Sequence, residues 1–136
     1  MNQSGRVLEE KALEAAISRL RREDKIVAAY LLGSAAEGRI RSDSDVDIAL
    51  LPARGATLAG RERSDLATDL EDLVGLPVDL GILHTGNLVY AKEAVAHGKL
   101  LFERVPMARA RFAMLVFSMY AELQENRREV LHAYAA

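Results

Sequence analysis

The 136-residue sequence predicts an α+β (mixed α/β) fold: a small mixed sheet covered by helices and closed by a long C-terminal helix. Three observations carry this expectation. Apolar spacing switches repeatedly between the 3.6-residue period of a one-sided helix and the two-residue alternation of a strand. Gly and Pro punctuate the switches. Half of the residues are apolar, enough for a real core, and no repeat, low-complexity tract or linker divides the chain. A single domain over 1–136 is therefore expected.

Leu13, Ala16, Ile17 and Leu20 recur at i, i+3, i+4 and i+7, which places a first helix between Val7 and Arg22. Lys25–Leu32 is a continuous apolar run of strand length, as expected of a strand buried on both faces. Gly33-Ser34 stops it and opens a polar segment of one or two helical turns. From Asp45 to Leu51 the residues alternate, with Asp45, Asp47 and Ala49 on one side and Val46, Ile48 and Leu50 on the other. That is a strand with one acidic face. Pro52, Gly55 and Gly60 mark a loop, and Leu66, Leu70, Leu73 and Val74 form a helix ended by Gly75 and Pro77. Val78–Leu83 alternates again, with Asp79 and Gly81 on its polar side. A helix from about Asn87 to His97 and a strand over Lys99–Glu103 follow. Pro106 suits the first position of a final helix running to about Arg128. The pairing order of the four strands cannot be read from spacing.

Composition narrows the function classes. Eighteen Lys plus Arg against 20 Asp plus Glu give a net charge of −2, so neither a general nucleic-acid surface nor an acidic disordered tail is indicated. With 5% aromatic residues and no Trp, base-stacking platforms are also disfavoured, so nucleic acid is not expected as a direct ligand. The absence of cysteine excludes disulfides and thiolate zinc sites and fits a cytoplasmic location. No apolar run approaches the ~18 residues of a membrane span, and the first residues lack the apolar stretch of a secretory signal.

Chemistry concentrates in one constellation: Gly33-Ser34, ten intervening residues, then Asp45-Val46-Asp47. A strand that turns at Gly-Ser into a helical segment presents free backbone N–H groups to an anion such as a di- or triphosphate. Gly33 lets a phosphate approach the backbone and Ser34 can donate its hydroxyl. Asp45 and Asp47, two apart on a strand, stand only ~7 Å apart at the backbone. Two ionised carboxylates so close repel each other, and a pair of divalent cations relieves the repulsion. Oxygen-only ligands favour Mg²⁺ or Mn²⁺. Asp79, on the polar face of another strand, is the natural third carboxylate. Each piece alone has a bland account, since Gly-Ser is commonly a turn and Asp a loop cap or surface charge. Three Asp residues on open strand faces are harder to explain as solubility, because strands disfavour Asp.

The pattern of Gly33-Ser34, ten residues and Asp45-x-Asp47 flanked by apolar residues resembles the signature of the DNA polymerase beta-like nucleotidyltransferase superfamily. The short chain, Val78-Asp79-Leu80 and the closing helix resemble its minimal nucleotidyltransferase (MNT) branch, which includes the MntA-type antitoxins encoded beside HEPN-domain toxins. The resemblance implies a nucleotidyltransferase-type mixed sheet. It implies that Asp45, Asp47 and Asp79 are catalytic and bind two Mg²⁺ ions, and that Gly33 and Ser34 hold the outer phosphates of ATP. Many relatives carry Arg where Glu37 stands, so Arg39 or Arg41 is expected to supply that charge, and Arg39 is the nucleotide-binding candidate. The implied reaction is transfer of AMP to a tyrosine of a cognate HEPN RNase toxin. Two alternatives remain: an antitoxin that only binds and occludes its toxin, or a transferase acting on a small molecule or an RNA end.

Other features carry less. Arg127, His132 and Tyr134 spell the R-x4-H-x-Y pattern of HEPN nucleases, but alternating strands leave no room for that helical fold, and a polar helix end accounts for them. His84 and His97 receive no role. The final helix bears two apolar stripes: Phe112, Val116, Met119, Tyr120 and Leu123, and then Ala110, Ala113, Met114, Phe117 and Ala121. Either the helix is deeply buried, or one stripe meets the toxin or a second copy of the chain. Arg104, Arg109 and Arg111 flank it and offer charge to an acidic partner.

Overall fold

The computed structural model describes residues 9–37 and 45–135. Elements follow in the order α1 (Glu10–Arg21), β1 (Ile26–Leu32), a 3₁₀ turn (Gly33–Glu37), β2 (Val46–Pro52), α2 (Gly60–Val74), β3 (Val78–Ile82), a 3₁₀ turn (Thr85–Asn87), α3 (Leu88–His97), β4 (Lys99–Glu103) and α4 (Pro106–Ala135). The expected mixed α+β architecture is what forms. The strands make one sheet in the order β3-β2-β1-β4. β1 pairs antiparallel with both β2 and β4, whereas β2 and β3 run parallel. A parallel neighbour needs a crossover, and α2 supplies it.

The two faces of the sheet are built differently. On the first, Val46, Ile48 and Leu50 of β2 and Val78 and Leu80 of β3 join Ala29 and Leu31 of β1. The apolar stripes of α1 (Ala16, Leu20) and α2 (Leu66, Leu70) close over them with no accessible surface left at those four residues. On the second face, Ala28, Tyr30, Ala49 and Leu51 pack beneath Ala91 and Ala94 of α3 and Val116 of α4. Small residues there let the helix backbones approach closely. β1 is buried almost continuously because helices cover both faces of the sheet, with Ala29 and Leu31 on one side and Ala28 and Tyr30 on the other.

Polar clamps tie the layers together. Arg104 donates to the backbone carbonyls of Ile26 (3.0 Å), Glu23 (3.0 Å) and Arg21 (2.6 Å), fixing the end of β4 against the α1–β1 connection. Lys25 Nζ lies 2.8 Å from Glu62, whose carboxylate also accepts from the Ala59 N–H (2.9 Å) at the start of α2. These two donors hold the Glu62 carboxyl below its ordinary value.

Three expectations need correction. Asp45 stands just before β2 rather than in it, because pairing begins where the Val46 N–H bonds the Pro77 carbonyl at 2.8 Å. The final helix continues past Arg128 to Ala135, since neither Gly nor Pro interrupts the chain there. Of the basic flank, Arg104 is spent on backbone carbonyls and Arg109 on Glu103 (2.7 Å), leaving Arg111 exposed. The two stripes of α4 also part company. Val116 is fully buried with Phe112 packed beside it, while Met114 is 72% exposed and Phe117 45% exposed. Deep burial of the whole helix is excluded. The distal residues Arg127, His132 and Tyr134 lie on its exposed end.

Candidate active site

Asp47 and Asp79 are brought together by strand register. In the parallel β2–β3 pair Asp47 stands directly opposite Asp79, so their backbones are about 4.8 Å apart and their side chains share the second face of the sheet. On its other side Asp47 pairs with Leu32, the last residue of β1. Gly33 follows at φ +68°, a left-handed conformation that costs glycine little. A Cβ at Gly33 would stand 3.8 Å from Asp47 Oδ2, so the backbone of this turn borders the carboxylate directly. The Gly-Ser turn and the acidic pair, distant in sequence, are thus neighbours in the fold.

α3 and α4 cover only part of this face. Beyond Ala49 and Leu51 it is closed, but at Asp47 and Asp79 it is open: Asp79 is exposed and Asp47 partly so. Burial, then the negative charge of Asp79, then that of Asp45 push the Asp47 carboxyl above its ordinary value. Asp45 is therefore close enough to be felt. It does not complete a ready-made cage, since no group of three or more His, Cys, Asp or Glu side chains among the described residues is clustered tightly enough to hold a metal. The donor set nevertheless fits a hard divalent cation: the ligands are carboxylate oxygens, and positive charge relieves the repulsion that raises Asp47.

A cleft of about 600 Å³ opens beside Gly33, lined by Leu32, Ala36, Glu93, His97, Gly98 and Lys99. Its Lys99, at the start of β4, is a basic residue that sequence spacing did not mark. His97, the last residue of α3, sits 3.1 Å from Glu93 and serves the helix end, while His84 lies beyond β3. Ser34 follows Gly33 in the 3₁₀ turn. Arg39 and Arg41 lie outside the described residues.

Tyr90 is the feature that sequence reasoning missed. Its ring crosses from α3 onto β3 and occupies the space above Gly81, where an added Cβ would lie 2.7 Å from Tyr90 Cζ and collide with the hydroxyl. Burial, then the charges of Asp79 and Asp47, push the phenol above its ordinary value. The only sequence signal was Gly81 itself, a glycine inside a strand, which marks close approach by another group.

A small mixed sheet, with a glycine turn bordering paired aspartates on neighbouring parallel strands, makes the candidate site, and comparison with known proteins gives the family. A family model described as polymerase beta, nucleotidyltransferase matches residues 14–106, ending where α4 begins. Protein adenylyltransferase MntA of Shewanella oneidensis is 34% identical over 107 residues, covering 79% of this chain and 75% of that protein. A solved toxin–antitoxin structure with AMP-PNP is similar at a TM-score of 0.72 and 32% identity, over 91% of this chain and 98% of that one. The solved complex of a tri-AMPylated Shewanella oneidensis HEPN toxin with its MNT antitoxin is similar at a TM-score of 0.68 and 29% identity, over 92% and 97%. The chain belongs to the polymerase beta-type nucleotidyltransferase family, in its MntA-like branch.

Proposed function

We propose that this chain is an adenylyltransferase antitoxin that transfers AMP from ATP to a tyrosine of a HEPN RNase toxin and so silences it. The observation that carries the reading is the Asp47–Asp79 register beside the Gly33 turn. The named activity of the MntA relative and the AMP-PNP and tri-AMPylated complexes support donor, acceptor and partner.

In this reading Asp45, Asp47 and Asp79 would hold two Mg²⁺ ions, with Mn²⁺ able to replace them. When bound, the ions neutralise the developing charge on the transferred phosphoryl group and the leaving pyrophosphate. Backbone N–H groups at Gly33 and Ser34 orient the outer phosphates, and Arg39 or Arg41 supplies the positive charge that Glu37 does not. The Asp79 carboxylate, on the side away from Gly33, accepts the proton of the acceptor hydroxyl as its oxygen attacks the α-phosphorus. Residues 1–136 act as one minimal transferase domain, and the acceptor brings its own surface. Among the described residues no helix is long and apolar enough to cross a membrane. The proposed reaction belongs in the cytoplasm, where ATP and an RNase toxin meet.

The exposed stripe of α4, Met107, Met114 and Phe117, supports a second reading in which binding alone neutralises the toxin. One experiment separates the two. The toxin is incubated with wild-type chain, ATP and Mg²⁺, and its peptides are mapped by mass. AMP on a toxin tyrosine, with parallel loss of RNase activity, is the expected result; an unmodified but silenced toxin rejects the transferase reading.

A further inference from the structure

The active face already contains a phenol. Tyr90 is the third residue of α3, and its hydroxyl fills the notch that Gly81 leaves in β3. Gly81 follows Asp79 by two on the same side of the strand, so their backbones are roughly 7 Å apart. Tyr90 is half-buried. The other three tyrosines are placed elsewhere: Tyr30 is buried in the second core cluster, Tyr120 accepts from Gln124 at 2.9 Å under Lys92, and Tyr134 stands on the free end of α4.

In-line displacement sets the attacking oxygen and the leaving pyrophosphate on opposite sides of the α-phosphorus. With the outer phosphates at Gly33, beside Asp47, the attacking oxygen must approach from the Asp79 side. That is the side on which Tyr90 stands. To reach the α-phosphorus the hydroxyl has to leave the Gly81 notch by rotation about the Tyr90 side-chain bonds.

We propose that Tyr90 is an intramolecular acceptor, so that without a partner the chain adenylylates itself on this residue. The inference rests on the nucleotidyl-transfer reading but not on the toxin as acceptor. The Tyr90 oxygen forms a bond to the α-phosphorus, the bond from that phosphorus to the oxygen of the β-phosphate breaks, and pyrophosphate leaves. The phenolic proton passes to the Asp79 carboxylate and on to solvent. The tethered AMP then lies across the face it came from, so modification stops at one AMP per chain and closes the site to further ATP.

The test is incubation of the full chain alone with ATP and Mg²⁺, followed by intact mass and peptide mapping. The expected product carries one AMP on Tyr90, forms at a fractional rate independent of protein concentration, and is absent from Tyr90→Phe and from Asp47→Asn. Labelled protein should bind AMP-PNP at least tenfold more weakly than Tyr90→Phe by calorimetry. No added AMP, AMP on another residue, or a rate that scales with protein concentration overturns the proposal. A parallel incubation with the toxin separates the two ideas. Toxin labelled in the mixture while the chain alone stays bare leaves the proposed function standing and rejects self-modification; Tyr90 labelled in the chain alone while the toxin stays bare does the reverse.

Discussion

The two faces of the sheet have opposite chemistry built on the same strands. β2 sends Val46, Ile48 and Leu50 to one side, where α1 and α2 seal them, and Asp47 and Ala49 to the other. β3 does likewise, with Val78 and Leu80 against Asp79 and Gly81. The first face is closed and apolar throughout. The second begins as an alanine-rich core under α3 and α4 and ends in two adjacent carboxylates open to solvent. The difference shows how a short chain combines stability with function: one face supplies most of the large apolar burial, which frees the other to hold like charges that destabilise each other.

Substitutions on each face sharpen or break this division. The largest effect is expected at Asp47→Asn, which keeps the volume and removes one carboxylate: AMP transfer should fall by about a thousandfold or more in a toxin-labelling assay. The folded state raises the Asp47 carboxyl, so its ionised form opposes folding once pH exceeds the ordinary carboxylate range. Asp47→Asn should therefore melt at the same or a slightly higher temperature at pH 7. A clear drop in melting temperature would mean that the open end is structural.

On the closed face Leu70→Ala should cost about 2–5 kcal/mol by urea unfolding, because it empties a fully buried site between α2 and the sheet. Transfer per folded molecule should be retained. At the boundary Gly81→Ala should cost roughly 1–3 kcal/mol, since the added methyl collides with the Tyr90 ring. Unlike Leu70→Ala, it should also disturb transfer, because the displaced ring stands beside Asp79.

The smallest effect lies at the rim. Glu62 is held below its ordinary value by Lys25 and the Ala59 N–H. Its contribution is present above the unfolded carboxylate value of about 4.3 and is lost as pH falls through the lower folded value. Lys25→Met should therefore lower the melting temperature slightly at pH 7, with the gap to wild type closing in acid.

Much of this division was legible in the residues. Alternation in 45–51 and 78–83 separated acidic from apolar sides, and the placement of Asp79 on the polar side needed only the period of a strand. What spacing could not give was pairing. Only the parallel β2–β3 register makes neighbours of Asp47 and Asp79, which are thirty-two residues apart. Asp45 was misplaced inside the strand because alternation extends one residue beyond the first bond of the ladder. Tyr90 carries no mark of its own within the helix expected from about Asn87 to His97, and its contact with β3 is one that no local pattern encodes. The far end of α4 was cut short because its apolar period fades, although nothing in the sequence stops a helix there.

In the proposed function, chemistry belongs to the open end of the second face while the rest of the molecule supports it. The most direct measurement is single-turnover transfer of AMP to the toxin by wild-type, Asp47→Asn and Asp79→Asn chains at matched folded concentration, with toxin binding measured alongside. Transfer by wild type alone, with equal binding by all three, is the expected result; transfer at the wild-type rate by either variant would place the chemistry elsewhere.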